Sequence, residues 1–127
     1  MAYITDVYLS EILNKEVVDM YGQNMGILID LSIVPGTEYP CVTKLILRKG
    51  RRWSQIPVES LQLFNPSIIT VDVSKGTPER YTLEHEDILV KKHILDKQIL
   101  DVNGAKVVRV NDLKLGEGDG VVCVVGI

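Results

Sequence analysis

The feature that most constrains this chain is an internal repeat. The run Ile12-Leu13-Asn14-Lys15-Glu16-Val17-Val18-Asp19-Met20-Tyr21-Gly22 aligns without gaps with Ile94-Leu95-Asp96-Lys97-Gln98-Ile99-Leu100-Asp101-Val102-Asn103-Gly104. At the same offset of 82 residues, Asp30-Leu31 aligns with Asp112-Leu113. About seven of 22 aligned positions are identical, and the Lys, Asp and Gly matches are not what apolar patterning alone would produce. Each copy reads as a β-hairpin. A short apolar strand, Glu16 to Met20 or Gln98 to Val102, runs into a polar turn ending in glycine, and a longer strand follows, Met25 to Val34 or Lys106 to Leu115. Asn103-Gly104 is a strong hairpin signal, and Tyr21-Gly22-Gln23-Asn24 plays the same part with a longer loop. Asp19 and Asp101 stand at the turn entrance, where a carboxylate accepts backbone N–H bonds. Asp19, Gly22, Asp101, Asn103 and Gly104 are therefore expected to be structural turn residues.

Composition sets the fold class. Val and Ile make up roughly a quarter of the chain, whereas Ala occurs only at positions 2 and 105. That balance predicts an all-β protein. After the first hairpin, Tyr39 to Arg48 reads as a strand, Lys49-Gly50 as a tight turn and Arg51 to Val58 as the partner strand, with Pro57 at an edge or strand end. Glu59-Ser60 turns into a strand at Leu61 to Phe64, Asn65-Pro66 breaks it, and Ser67 to Val73 is the last strand of the first copy. At least five short strands within about 65 residues predict a small closed or nearly closed barrel. Short helical turns are expected at Ser10 to Leu13, with Ser10 as N-cap, and around Glu86 to Lys92. Lys75 to Arg80, which carries Gly and Pro and no periodicity, reads as a linker. The domain reading is a barrel over residues 1–75, a linker over 76–82 and a second, incomplete copy over 83–127. The second copy has room for its hairpin, a Gly116-Glu117-Gly118-Asp119-Gly120 turn and a strand from Val121 to Val125. It is expected to be completed by another chain, or by a continuation of the protein.

The chain has 127 residues and a formal net charge of −3, which disfavours a globally basic nucleic-acid binder. Cys41 and Cys123 lack CxxC or Cys/His spacing, so zinc and thioredoxin-like chemistry drop out and reduced thiols are expected. No apolar run approaches the ~20 residues of a membrane span and the N-terminus has no signal-peptide pattern, so a cytoplasmic module is the expectation. The basic cluster Arg48, Lys49, Arg51 and Arg52, followed by Trp53, is the candidate binding site: four cations at a hairpin tip fit phosphates, acidic headgroups or an acidic protein, with Trp53 stacking nearby. Glu84, His85, Glu86 and Asp87 are consecutive and cannot all face one ion, and His93 is the only other histidine. The Gly116 to Gly120 segment lacks both the Walker A and the EF-hand ligand pattern and reads as a flexible hairpin loop. With no nucleophile constellation in view, no catalytic residue, metal or cofactor is expected, and the chain is read as a non-enzyme.

At the repeated Leu-x-Lys-x-Val-Val-Asp-x-x-Gly stretch the chain resembles the PRC-barrel family. In the first copy the resemblance is carried by Leu13, Val17, Val18, Asp19, Gly22, Gly26, Asp30 and Ile56-Pro57 ahead of Leu61. In the second it is carried by Leu95 to Gly104 and by Val107-Val108-Arg109-Val110-Asn111-Asp112-Leu113, with Val108 standing where the first copy has Gly26. The second run looks like the tandem PRC-barrel region found with MgtE-type magnesium-transporter and CBS domains. The resemblance implies a small SH3-like barrel of about six strands followed by a partial copy. It also implies a docking or regulatory role without common catalytic residues: the N-terminal cytosolic part of a longer protein linked to magnesium transport. A protein partner or a second copy of the chain is expected, with a homodimer formed through the incomplete second repeat. The alternative is RNA or ribosome-assembly binding of the RimM type through the basic hairpin tip.

Overall fold

The structure is a computed structural model and describes residues 3–4, 6–36, 38–82, 88–100, 107–118 and 121–126. Strands dominate, in keeping with the β-branched composition, so the protein is all-β. In chain order they are β1 (Tyr3–Ile4), β2 (Val7–Tyr8), β3 (Glu16–Asp19), β4 (Asn24–Val34), β5 (Cys41–Lys49), β6 (Arg52–Pro57), β7 (Leu61–Phe64), β8 (Ile69–Val71) and β9 (Glu79–Arg80). There follow β10 (Ile88–Leu89), β11 (Gln98–Leu100), β12 (Val107–Arg109), β13 (Lys114–Gly118) and β14 (Val121–Gly126). One helical turn, α1 (Leu9–Ile12), precedes β3, and a π turn, Val90–Ile94, occupies the matching place before β11.

The main sheet runs β1-β7-β8-β3-β4-β5-β14-β13-β2 and curls around the core as an open half-barrel. β6 flanks β5 and carries β9, while β11 and β12 form a separate two-stranded sheet. Alternating residues of the strands meet inside. Val17, Leu28, Leu31, Leu45, Leu47, Ile56, Phe64 and Ile69 of the first copy form one cluster with Val110, Leu113, Leu115 and Val122 of the second. Both copies thus contribute to a single core, and each fully buried aliphatic or aromatic side chain in it stabilises the fold by about 1.5–3 kcal/mol.

The two copies share geometry as well as sequence. Glu16 pairs with Ile27 and Val17 with Gly26, and 82 residues later Gln98 pairs with Arg109 and Ile99 with Val108. Asn14 and Asp96, equivalent positions, both adopt the left-handed conformation (φ 66° and 63°), and their amides donate to Leu28 and Val110 respectively. The correspondence extends past the aligned sequence. Ser32↔Lys44, Ile33↔Val42 and Val34↔Cys41 recur as Lys114↔Gly126, Leu115↔Val124 and Gly116↔Cys123, with the same bulge. The helical turns differ by one residue. The amide of Leu13 bonds back four positions to Leu9, that of Leu95 five positions to Val90, so a π turn absorbs a single-residue insertion.

The copies are joined by exchanged contacts. β2 of the first pairs with β13 of the second, and β10 of the second pairs with β4 of the first. Asp30, 5% exposed, accepts hydrogen bonds from the amides of Lys91 (2.7 Å), Lys92 (3.1 Å) and Leu31 (2.8 Å). Its equivalent Asp112 accepts from the Ser10 amide and hydroxyl and from the Leu113 amide. Each aspartate therefore tethers the helical turn of the opposite copy, the reciprocity of a two-fold relation.

Several sequence expectations are corrected. Ser10 is not the N-cap of α1 but lies inside it, because its hydroxyl is committed to Asp112; Tyr8 is the N-cap, and its amide is held by Glu11 (2.8 Å). The long strand expected from Lys106 to Leu115 is split into β12 and β13. The split falls where β4 carries a bulge between Leu28 and Asp30, and β12 pairs, among the described residues, with β11 alone. Gly116 and Gly118 belong to β13 rather than to a flexible loop. A Cβ at Gly116 would lie 2.6 Å from Asp6, and one at Gly118 would lie 3.0 Å from the Cys123 sulfur. Within the span read as linker, Glu79 and Arg80 form β9 against β6. The helical turn expected around Glu86 to Lys92 starts at Val90, and residues 83–87 lie outside the described residues.

Candidate functional site

The basic cluster is built by a tight hairpin. Lys49 of β5 faces Arg52 of β6, leaving Gly50 and Arg51 as a two-residue turn. Gly50 takes φ 64° at the first central position, the glycine-first pattern of a type II′ turn. Beside it lies the β3–β4 turn. There Asp19 accepts from the amides of Tyr21 and Gln23, each at 2.8 Å, and Gly22 takes φ 81°. Asp19 thus holds the turn from its entrance, and Gly22 occupies its left-handed position. Asp101, Asn103 and Gly104 lie outside the described residues. Lys49 Nζ donates to the Asn24 carbonyl at 3.0 Å and ties the two turns together.

Between these turns and β9 opens a groove of about 1000 Å³. Lys49, Arg51, Arg52 and Trp53 of the sequence-predicted cluster line it. Arg48 is exposed and pairs with Trp53 across the ladder, but it is not part of the lining. The far wall is formed by Arg80 and Tyr81, from the segment whose sequence reads as a linker, held there by the β6–β9 pairing and by the Tyr81 amide donating to the Trp53 carbonyl (3.2 Å). The Trp53 and Tyr81 rings lie 5.7 Å apart at 42°. Trp53 is 46% exposed rather than buried in the core. The adjacency of Arg80 and Tyr81 in sequence does not by itself place them beside Arg52 and Trp53; the β6–β9 pairing does.

Four cations and one carboxylate, Glu79, thus face one groove in a chain whose net charge is −3. Among the described residues, the guanidiniums of Arg51, Arg52 and Arg80 make no ion pair. Charge not neutralised internally is available to an incoming anion, and two adjacent aromatic faces can take a flat or apolar group beside it. No group of three or more His, Cys, Asp or Glu able to hold a metal ion occurs among the described residues; Glu84 to Asp87 lie outside them. His93 caps the π turn, its Nδ1 accepting from the Leu89 amide at 2.9 Å. No helix among the described residues is long and apolar enough to cross a membrane. No family model matches the chain, and a search of curated proteins returns no match.

Proposed function

We propose that the chain is a non-enzymatic interaction module and that its recognition surface is the groove between the β5–β6 hairpin and β9. The observation that carries this reading is the set of uncommitted guanidiniums around the Trp53–Tyr81 pair. An acidic protein segment carrying an aromatic or apolar side chain fits that chemistry: carboxylates against Arg51, Arg52 and Arg80, the side chain against the rings. The resemblance to PRC-barrel proteins supports a regulatory, cytoplasmic setting, with magnesium transport as the proposed context. A second reading, single-stranded RNA, is favoured by the same aromatic pair, on which bases stack.

Trp53 is the only tryptophan, so its fluorescence reports on the groove directly. A Glu/Asp-rich peptide with one central Tyr is expected to shift the Trp53 emission saturably. The affinity should fall with salt and drop at least about tenfold in Arg51→Ala/Arg52→Ala. An oligouridine giving the stronger response identifies the RNA reading instead. No response to either ligand overturns the assignment of this groove.

A further inference from the structure

The two cysteines are themselves repeat equivalents. Cys41 and Cys123 are 82 residues apart, the repeat offset, and so are Gly36 and Gly118 beside them. β5 and β14 run antiparallel with Cys41 directly opposite Cys123. The Val124 amide donates to the Pro40 carbonyl at 2.9 Å, one residue out on each strand, which makes Cys41–Cys123 a non-hydrogen-bonded pair. At such pairs the two Cα atoms come closest, about 4.5 Å apart, inside the range that a disulfide spans. The sulfurs are reduced and 3.0 Å apart. Glycine at positions 36 and 118 leaves them room, since a Cβ at either would stand 3.0 Å from the sulfur of its own copy. Cys41 is partly exposed, whereas Cys123 is 2% exposed.

We propose that Cys41 and Cys123 are a thiol–disulfide exchange site that closes a covalent staple between the two repeats, with a small-molecule disulfide such as glutathione disulfide as oxidant. The partly exposed Cys41 thiolate attacks one glutathione sulfur. An S–S bond forms between Cys41 and that glutathione, the glutathione S–S bond breaks, and the second glutathione leaves as thiolate. The Cys123 thiolate then attacks Cys41 Sγ, forming the Cys41–Cys123 bond and expelling the first glutathione as thiolate. The two protons lost by the protein thiols are taken up by the two glutathiones. The protein thiols are oxidised by two electrons and glutathione disulfide is reduced to two thiols. The acceptor carbonyls around the sulfurs, Tyr39 for Cys41 and Gly118 and Val121 for Cys123, are backbone groups and need no rearrangement of side chains.

The test uses the full chain at low micromolar concentration in glutathione buffers of graded oxidation, quenched with an alkylating agent and read by intact mass. A monomer two hydrogens lighter that accepts no alkyl group is the expected oxidised species. It should return to the doubly alkylated species after dithiothreitol, and its denaturation midpoint should exceed that of the reduced chain. Two alkylated thiols persisting in glutathione disulfide, a lasting glutathione adduct on Cys41, or a disulfide-linked dimer would each overturn the proposal. The wild-type mass measurement decides the matter alone, and Cys123→Ala, which is expected to stop at the glutathione adduct, checks the order of the steps.

Discussion

Replacing Asp30 by Ala removes one side chain and leaves three backbone donors without an acceptor: the amides of Leu31, Lys91 and Lys92. The three losses are unequal. Leu31 is fully buried, so its amide cannot recover a bond to water, whereas Lys91 and Lys92 are exposed residues whose amides can be partly rehydrated. Taking the full penalty for the first and the low end for the other two gives about 3–5 kcal/mol. For a chain of this size that corresponds to a fall in Tm of about 10–20 °C. Urea denaturation followed by circular dichroism measures the loss. Hydrogen exchange locates it, because protection of the Lys91 and Lys92 amides should collapse while that of Val17 and Leu47, away from the contact, follows global stability alone. Asp30→Asn keeps one acceptor oxygen and should fall between. A cost below about 1 kcal/mol with Lys91 and Lys92 still protected would refute the claim that Asp30 holds the second copy against the first.

Other outcomes follow from individual sites. Gly26→Ala should destabilise by more than about 2 kcal/mol, since Gly26 has φ 115° and an added Cβ would lie 2.8 Å from the Arg48 carbonyl oxygen. Gly22→Ala meets nothing within 4 Å and should cost only the conformational penalty of about 1–2 kcal/mol, so the difference between the two variants in denaturant isolates the clash. Burial acts to raise the Asp112 carboxyl, but bonds from the Ser10 hydroxyl and the Leu113 and Ser10 amides outweigh it and hold the group below its ordinary value. Asp72 is likewise held low, by the Ser74 hydroxyl and amide. Both contributions are complete above the unfolded carboxylate value of about 3.9 and are lost as pH falls through the depressed folded values, so stability should drop in acid, and Ser10→Ala should shrink that drop in a pH series of melts. Phe64→Ala should cost about 3–5 kcal/mol in the same assay, because the side chain is fully buried in the core cluster.

The hairpins, the Asp19 turn and the basic tip were legible because their determinants are local: alternation, a carboxylate two and four residues ahead of the amides that donate to it, a glycine at a positive φ. What was not legible depends on distant pairing. Arg80 and Tyr81 join the groove only because β9 adds to β6, and no local pattern in a Gly/Pro-containing stretch announces an edge strand of two residues. The repeated Asp30 and Asp112 were visible as a match, but their crossed bonds to the opposite copy were not, since apart from the Ser10 hydroxyl their partners are backbone amides, which carry no sequence signature. The cysteines did leave a signal. Their separation equals the repeat offset, and Gly36, Cys41 and Val42 match Gly118, Cys123 and Val124, which extends the alignment beyond residue 33. Val108 at the position of Gly26 also becomes intelligible. Gly26 is required by the close approach of β5 at Arg48, whereas β12 meets, among the described residues, no strand but β11.

The crossed pairing of β2 with β13 and β10 with β4 means that neither half owns all of its own sheet. A backbone cut near Thr77 would give two fragments that stay clasped rather than two independent bodies, and each expressed alone would present raw strand edges seeking the other. Such mutual lending of strands makes the cohesion of each half depend on the presence of the other.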